Sequence, residues 1–320
     1  NMDPIKFVIR RHDLVADSML CLTRLAVDGF TRKLQIVFEG ESGIDSGGLS
    51  KDWFLEYSLA MLQPDYCLFQ RTEAGTYKLD PRSRHQHEAT SYFHAFGRVC
   101  GKALFDQQLL NAPLCMGLLR QMTGSKPGLL ELAEVDPILA RSLQWMLEND
   151  ITDVIDETFT IMVEEFGTHQ VVELCECGAD REVTEANKEK YVQAVVDWHF
   201  TGAVREQLRA FLDGVWEVIP CRDLEEFAPE ELILLLNGKT GVDVNDLRSG
   251  PVKYTGGYTE DSDPVQLFWH VMTEMTHVER GDVLRFATGC DRLPLDGFSP
   301  FLPFVVTKSE FGKGALPTAH

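Results

Sequence analysis

The side chains that could do chemistry are few and scattered. Cys175-Glu176-Cys177 would put two thiols on one face of a strand, which is half of what a tetrahedral metal site takes. No second pair at matching spacing exists, so no metal is expected. His85-Gln86-His87 has the same shortfall and reads as a solvated loop ahead of a helix at Glu88. His94 and Cys100 could form a base and nucleophile, as could more distant Cys/His pairs brought together by the fold, but nothing selects one pair. From Glu39 to Gly48 runs a loop with four glycines that leads into apolar periodicity, as a phosphate cradle does. It lacks a Gly-Lys-Ser/Thr ending, and Glu39, Glu41 and Asp45 would repel phosphate, so no nucleotide or other cofactor is expected.

The elements that must carry these residues follow from periodicity. Asp13 can cap a helix from about Leu14 to Val27, and Lys33 to Phe38 alternates as a half-buried strand does. Helical spacing returns from Leu49 to Leu62 and from about Glu88 to Leu110, where Gly97 and Gly101 allow another element to approach closely. From Pro113 to about Lys190, short helices alternate with strand-like runs, Thr158 to Val163 and Gln170 to Cys175, as in a small α+β insertion. Thr184 can cap a long helix carrying Tyr191, Val195, Trp198, Val204, Leu208 and Phe211 on one recurring face. Pro229 opens a short helix that Gly238 closes. Gly238 to Tyr258 is rich in glycine and polar residues before a helix near Pro264 to Met275, and composition alone leaves a domain boundary and a surface loop equally open.

Composition bounds the class. The 320 residues are 44% hydrophobic, enough for one large core or two. No uncharged apolar run of about 18 residues occurs and the start lacks a signal-peptide pattern, so a soluble, cytoplasmic or nuclear protein is expected. The eight cysteines are spread through apolar stretches, which suits reduced thiols. A formal charge of −20 would repel phosphate backbones, so neither nucleic acid nor an anionic membrane is an expected partner, whereas a partner with a basic face would be steered in.

Several stretches resemble the HECT ubiquitin-ligase family, in that family's order. Glu39 to Gly48 leading into Trp53-Phe54 resembles the glycine-rich loop and helix near the start of its N-terminal lobe. Phe93 to Arg98 with Gly101, Ala103 and Leu104, then Ser142 to Asp150, then Val183 to Asn187, resemble its later helices. Asp243 to Asp246, Phe268-Trp269, Phe286 to Gly289 with Arg292 to Pro294, Gly297-Phe298, and Leu316-Pro317-Thr318-Ala319-His320 resemble its C-terminal lobe. Departures are Asp52 where glutamate is usual, Lys102 at an apolar position, Cys290 for a small hydroxyl residue, and a short segment from Ser299 to Phe311.

The resemblance implies an α+β, bilobal fold. Its mostly helical N-lobe would span 1–238, with a conjugating-enzyme-binding subdomain at about 113–190, and a hinge and partial small α/β C-lobe would span 239–320. It implies a two-step acyl transfer, in which ubiquitin passes from a conjugating enzyme to a ligase cysteine and then to a lysine of a protein substrate. That cysteine would be the second residue after His320, beside the loop of Leu316, Pro317, Thr318 and His320, and none of the eight cysteines present lies in its context. Carried over residue by residue, the conjugating-enzyme groove falls on Leu139, Leu143, Ile155, Tyr191 and Val195, and the hinge on Lys239, Thr240 and Gly241. The alternative is a non-catalytic module that binds a conjugating enzyme or ubiquitin.

Overall fold

A computed structural model describes residues 3–41, 48–165, 167–239, 241, 243–288, 291–293 and 304–308. The fold is α+β. The chain enters through β1 (Ile5–Ile9), α1 (Leu14–Arg24), β2 (Leu34–Phe38) and α2 (Gly48–Met61), then β3 (Phe69–Arg71), β4 (Tyr77–Leu79) and the long α3 (Ala89–Asp106). Next come α4 (Met116–Met122), α5 (Leu129–Val135), α6 (Pro137–Glu148), the hairpin β5 (Thr160–Glu165) and β6 (Thr168–Glu173), α7 (Lys188–Phe200), α8 (Arg205–Val218), α9 (Cys221–Leu224) and α10 (Pro229–Asn237). The last part holds α11 (Val244–Ser249), β7 (Val252–Thr255), α12 (Asp263–Glu274), α13 (His277–Thr288) and β8 (Phe304–Thr307). The described strands pair two by two: β1 with β2 and β7 with β8 in parallel, β3 with β4 and β5 with β6 antiparallel.

Alternation in β2 works as the sequence suggests, burying Leu34, Ile36 and Phe38 on one face. Against that sheet, α2 buries Trp53, Phe54, Tyr57 and Met61, and the Trp53 indole N–H finds its partner in Ser18 Oγ at 2.8 Å. Behind them α3 and α8 lie backbone against backbone. A Cβ on Gly97 would stand 2.0 Å from the Phe211 carbonyl oxygen, and one on Gly214 would stand 2.1 Å from that of His94. Gly97 was legible as a close-approach residue; Gly214, its counterpart on the facing helix, was not.

Two buried cations are explained by carbonyls. Arg98 Nη1 donates to Leu22 O (2.6 Å) and Leu25 O (3.3 Å), the open end of α1, while its Nε reaches Glu217 at 2.7 Å. Lys102, the departure at an apolar position, is 1% exposed; its stem fills the core and its Nζ donates to Arg32 O (2.8 Å) and Asp106 (2.7 Å). Asp52, another departure, joins Glu41 and Glu56 around Arg11, which also lies 3.8 Å over the Phe38 ring.

Several expected boundaries shift. The first helix ends at Arg24, because Leu25 turns extended, and Asp13 pairs with Arg10 at 2.6 Å rather than capping. The long helix expected from Thr184 is two helices: the chain turns at Thr201, and Gly202 packs so tightly on the Trp198 ring that a Cβ would be 2.5 Å from it. Thr184 does not cap; its N–H donates to Asn187 Oδ1 at 2.7 Å, and the helix starts at Lys188.

Buried hydrophobics form two separate clusters. The larger runs from Phe7 to Leu236. A smaller one gathers Val244, Leu247, Val265, Trp269, Met272, Leu284, Leu293 and Phe304, with the Trp269 N–H donating to Tyr254 Oη at 3.0 Å.

Candidate functional site

The residues picked out for partner binding come from α6, the loop after it, and α7. Pro137 starts α6, and Asp136 accepts from the Leu139 N–H at 2.9 Å, so the helix is held at its first turn. The loop is tied to the start of α7: Lys188 Nζ donates to Asn149 O (2.6 Å), and the Ile151 N–H donates to Glu185 (3.1 Å). The structure does bring Leu139, Leu143, Ile155, Tyr191 and Val195 to one region. Leu139 and Ile155 are half-buried, whereas Leu143, Tyr191 and Val195 are buried in the larger cluster. The Tyr191 ring meets Phe159 edge-on at 5.5 Å, and burial pushes its phenol up. Four-residue spacing put the pairs on shared faces correctly, but in this conformation most of that row packs inward.

The outward side of α6 was missed. Ile138 is 75% exposed and Trp145 46%, seven residues apart on one stripe, and Val154 in the following loop is also exposed. On the hairpin, Met162 and Val171 face each other across the strands and both are exposed. A signal existed in α6, since Ile138 and Trp145 flank the inward row, but apolar residues on both sides of a helix read as one wide stripe. Exposed aromatics and aliphatics gathered on one subdomain mark a docking region.

The expected hinge is partly on view. Gly238 and Gly241 take positive φ, +70° and +89°, and the Lys239 N–H donates to Leu293 O at 2.9 Å. Thr240 lies outside the described residues, as do Leu316, Pro317, Thr318 and His320.

No thiol among the described residues is set up to attack. The seven described cysteines are free, Cys100 and Cys115 fully buried; burial pushes the Cys100 thiol up strongly and Cys115 to about 12. His94 does not meet Cys100, because its ring bonds Glu217 at 3.0 Å. His85 is likewise committed, to Glu165 at 2.9 Å. Among the described residues no cluster of His, Cys, Asp or Glu has metal-site geometry, and no helix is long and apolar enough to cross a membrane.

Comparison with known proteins supplies what geometry leaves open. The family model for the HECT domain, described as a ubiquitin transferase, matches residues 55–320. The chain belongs to the HECT-domain family. Among relatives of this HECT domain, the E3 ubiquitin-protein ligase pub3 of Schizosaccharomyces pombe is 36% identical over 91% of the chain and 37% of its own length. The E3 ubiquitin-protein ligase ptr1 of the same yeast is 34% identical over 99% of the chain and 10% of its own length. For mouse E3 ubiquitin-protein ligase HUWE1 the figures are 34%, 98% and 7%. The HECT domain therefore spans well under half the length of these relatives.

One polar void sits apart from this surface, within the same HECT domain. It measures about 20 Å³ and is lined by Lys78, Cys115, Gln121 and His199 among others, with His199 Nε2 buried and unpartnered. Burial, then the nearby Lys78 charge, holds the His199 imidazole below its ordinary pKa, and Asp136 opposes them weakly. The folded state therefore favours neutral His199, so below the ordinary value of 6.5 the unfolded chain binds the extra proton and stability falls. Urea midpoints taken from pH 7.5 to pH 5 should drop for the wild type and drop less for His199→Gln. Parallel curves for the two proteins would remove this role from His199.

Proposed function

We propose that this HECT domain works in two-step ubiquitin transfer, receiving ubiquitin from a conjugating enzyme as a cysteine thioester and passing it to a lysine of a protein substrate. The observation that carries the reading is the pair of separate hydrophobic clusters on either side of Gly238 and Gly241, in a chain of this family. One sulfur that meets two partners in turn needs two bodies and a joint. We take 1–238 as the N-lobe, 239–320 as part of the C-lobe, and Lys239, Thr240 and Gly241 as the hinge, where positive-φ glycines allow rotations that other residues resist. The acceptor thiol in this reading is the second residue after His320. A thiolate suits the task, since exchange between thioesters is nearly balanced and amide formation then drives the second step. A reducing compartment, the cytoplasm or nucleus, keeps such a thiol available.

The conjugating enzyme, in this reading, docks on the 113–190 subdomain, against half-buried Leu139 and Ile155 and the exposed Ile138 and Trp145 beside them. The acidic chain would favour a partner with a basic face. The test uses the longer protein that carries the thiol, charged conjugating enzyme, and a gel with and without reductant. A reductant-sensitive ubiquitin adduct is expected, and Ile138→Asp with Trp145→Ala should slow its formation about tenfold or more, the effect of losing interface anchors. An adduct formed at the wild-type rate by the double variant would place docking elsewhere. No adduct at all would leave the second reading, a module that binds a conjugating enzyme or ubiquitin without chemistry.

A further inference from the structure

The buried clusters are not continuous, yet polar contacts join them where residues 291–293 meet the end of α10. Arg292 Nη2 donates to Asn111 Oδ1 at 2.9 Å, and Nη1 points to the Asn237 carbonyl oxygen at 3.4 Å. Beside it the Lys239 N–H donates to Leu293 O at 2.9 Å, and Gly238 comes so close that a Cβ would stand 2.5 Å from that same oxygen. The receiving side is held in place beforehand. The Asn111 N–H donates to Ser58 Oγ (2.8 Å), the Ala112 N–H to Asn237 Oδ1 (3.0 Å), and the Leu110 N–H to Leu236 O (2.6 Å). Asn111 therefore offers its amide oxygen from a strap already bound to α2 and α10.

We propose that Arg292 is a positioning residue, a latch whose guanidinium, spanning Asn111 and the Asn237 carbonyl, sets the orientation in which the smaller cluster is seated on the larger. The inference rests on the two-body reading above. A planar guanidinium suits the task because its fork can reach two acceptors at once and so fixes a direction as well as a distance. The contact is also reversible. Arg292 keeps 19% of its side chain exposed, so water can replace its partners as the latch opens, which an apolar seam of the same size would not allow.

The test measures a distance in the 320-residue chain, with spin labels on encoded azido side chains at Arg209 on α8 and His270 on α12. The wild type should show one dominant separation. Arg292→Ala and Asn111→Ala should each lower the ratio of that population to all others roughly tenfold, the effect of losing a charged hydrogen bond. Arg292→Lys should fall between, keeping the charge and losing the fork. The double variant Arg292→Ala/Asn111→Ala should be no worse than either single one, because both remove the same contact. Asn111 lies in the other cluster, so it still decides the matter should the Arg292→Ala protein fail to fold. An unchanged distribution in Asn111→Ala, or effects that add in the double variant, overturns the latch. The readout involves no ubiquitin, so the latch can fail while transfer stands, and the adduct experiment can fail while the latch stands.

Discussion

Gly97→Ala should destabilise the protein by about 2 kcal/mol or more, against a helix propensity that favours alanine by about 1 kcal/mol. The steric effect wins because of what the new methyl group meets. A Cβ at 2.0 Å from the Phe211 carbonyl oxygen cannot be relieved by a rotamer change, since the obstacle is the backbone of a helix. Gly214 meets the His94 carbonyl in the same way, so the contact is reciprocal. The remedy is for α3 and α8 to separate, which loosens the packing along both, including Phe96 on Phe211 at 6.1 Å. Urea unfolding followed by circular dichroism reads the loss as a lowered midpoint. A midpoint raised by the propensity gain would show that the two backbones do not lie this close.

Leu143→Asp should cost about 3 kcal/mol or more, because the carboxylate would be buried without a partner. Leu143 is 3% exposed within the larger cluster, so a loss of ubiquitin adduct in this variant would report unfolding and not a damaged docking surface. Ile138→Asp, five residues earlier and on the opposite side of the same helix, should change stability by no more than about 0.5 kcal/mol. Thermal melts of the two variants side by side make the comparison. If Leu143→Asp melts as the wild type does, water reaches that face and the row of Leu139 and Leu143 is open to a partner after all.

The two cases show what a one-dimensional pattern carries. Spacing of four identified the faces that hold Leu139 with Leu143 and Tyr191 with Val195, because helical geometry alone sets that. It could not say whether each face looks into a core or out of it. Core packing and a docking groove ask for the same apolar residues, and exposed Ile138 and Trp145 were hidden by that ambiguity. Likewise Gly97 stood out as a small residue on an apolar helix, but its counterpart Gly214 sits more than a hundred residues on, where no local rule links them. Lys102 looked like a misfit until Arg32 O and Asp106 were seen to receive its charge.

The sequence by itself determined most elements near their places, the α+β class, the ordered motifs of the HECT family, and a glycine-flanked joint after α10. These rest on local periodicity and on residue types whose meaning does not depend on distant neighbours. Only the tertiary structure decided which apolar rows are covered, how closely α3 and α8 approach, that the helix expected from Thr184 turns at Thr201, and that Arg292 reaches Asn111. Each of those is a contact between parts of the chain far apart in order, where burial and hydrogen bonding depend on what the fold brings alongside.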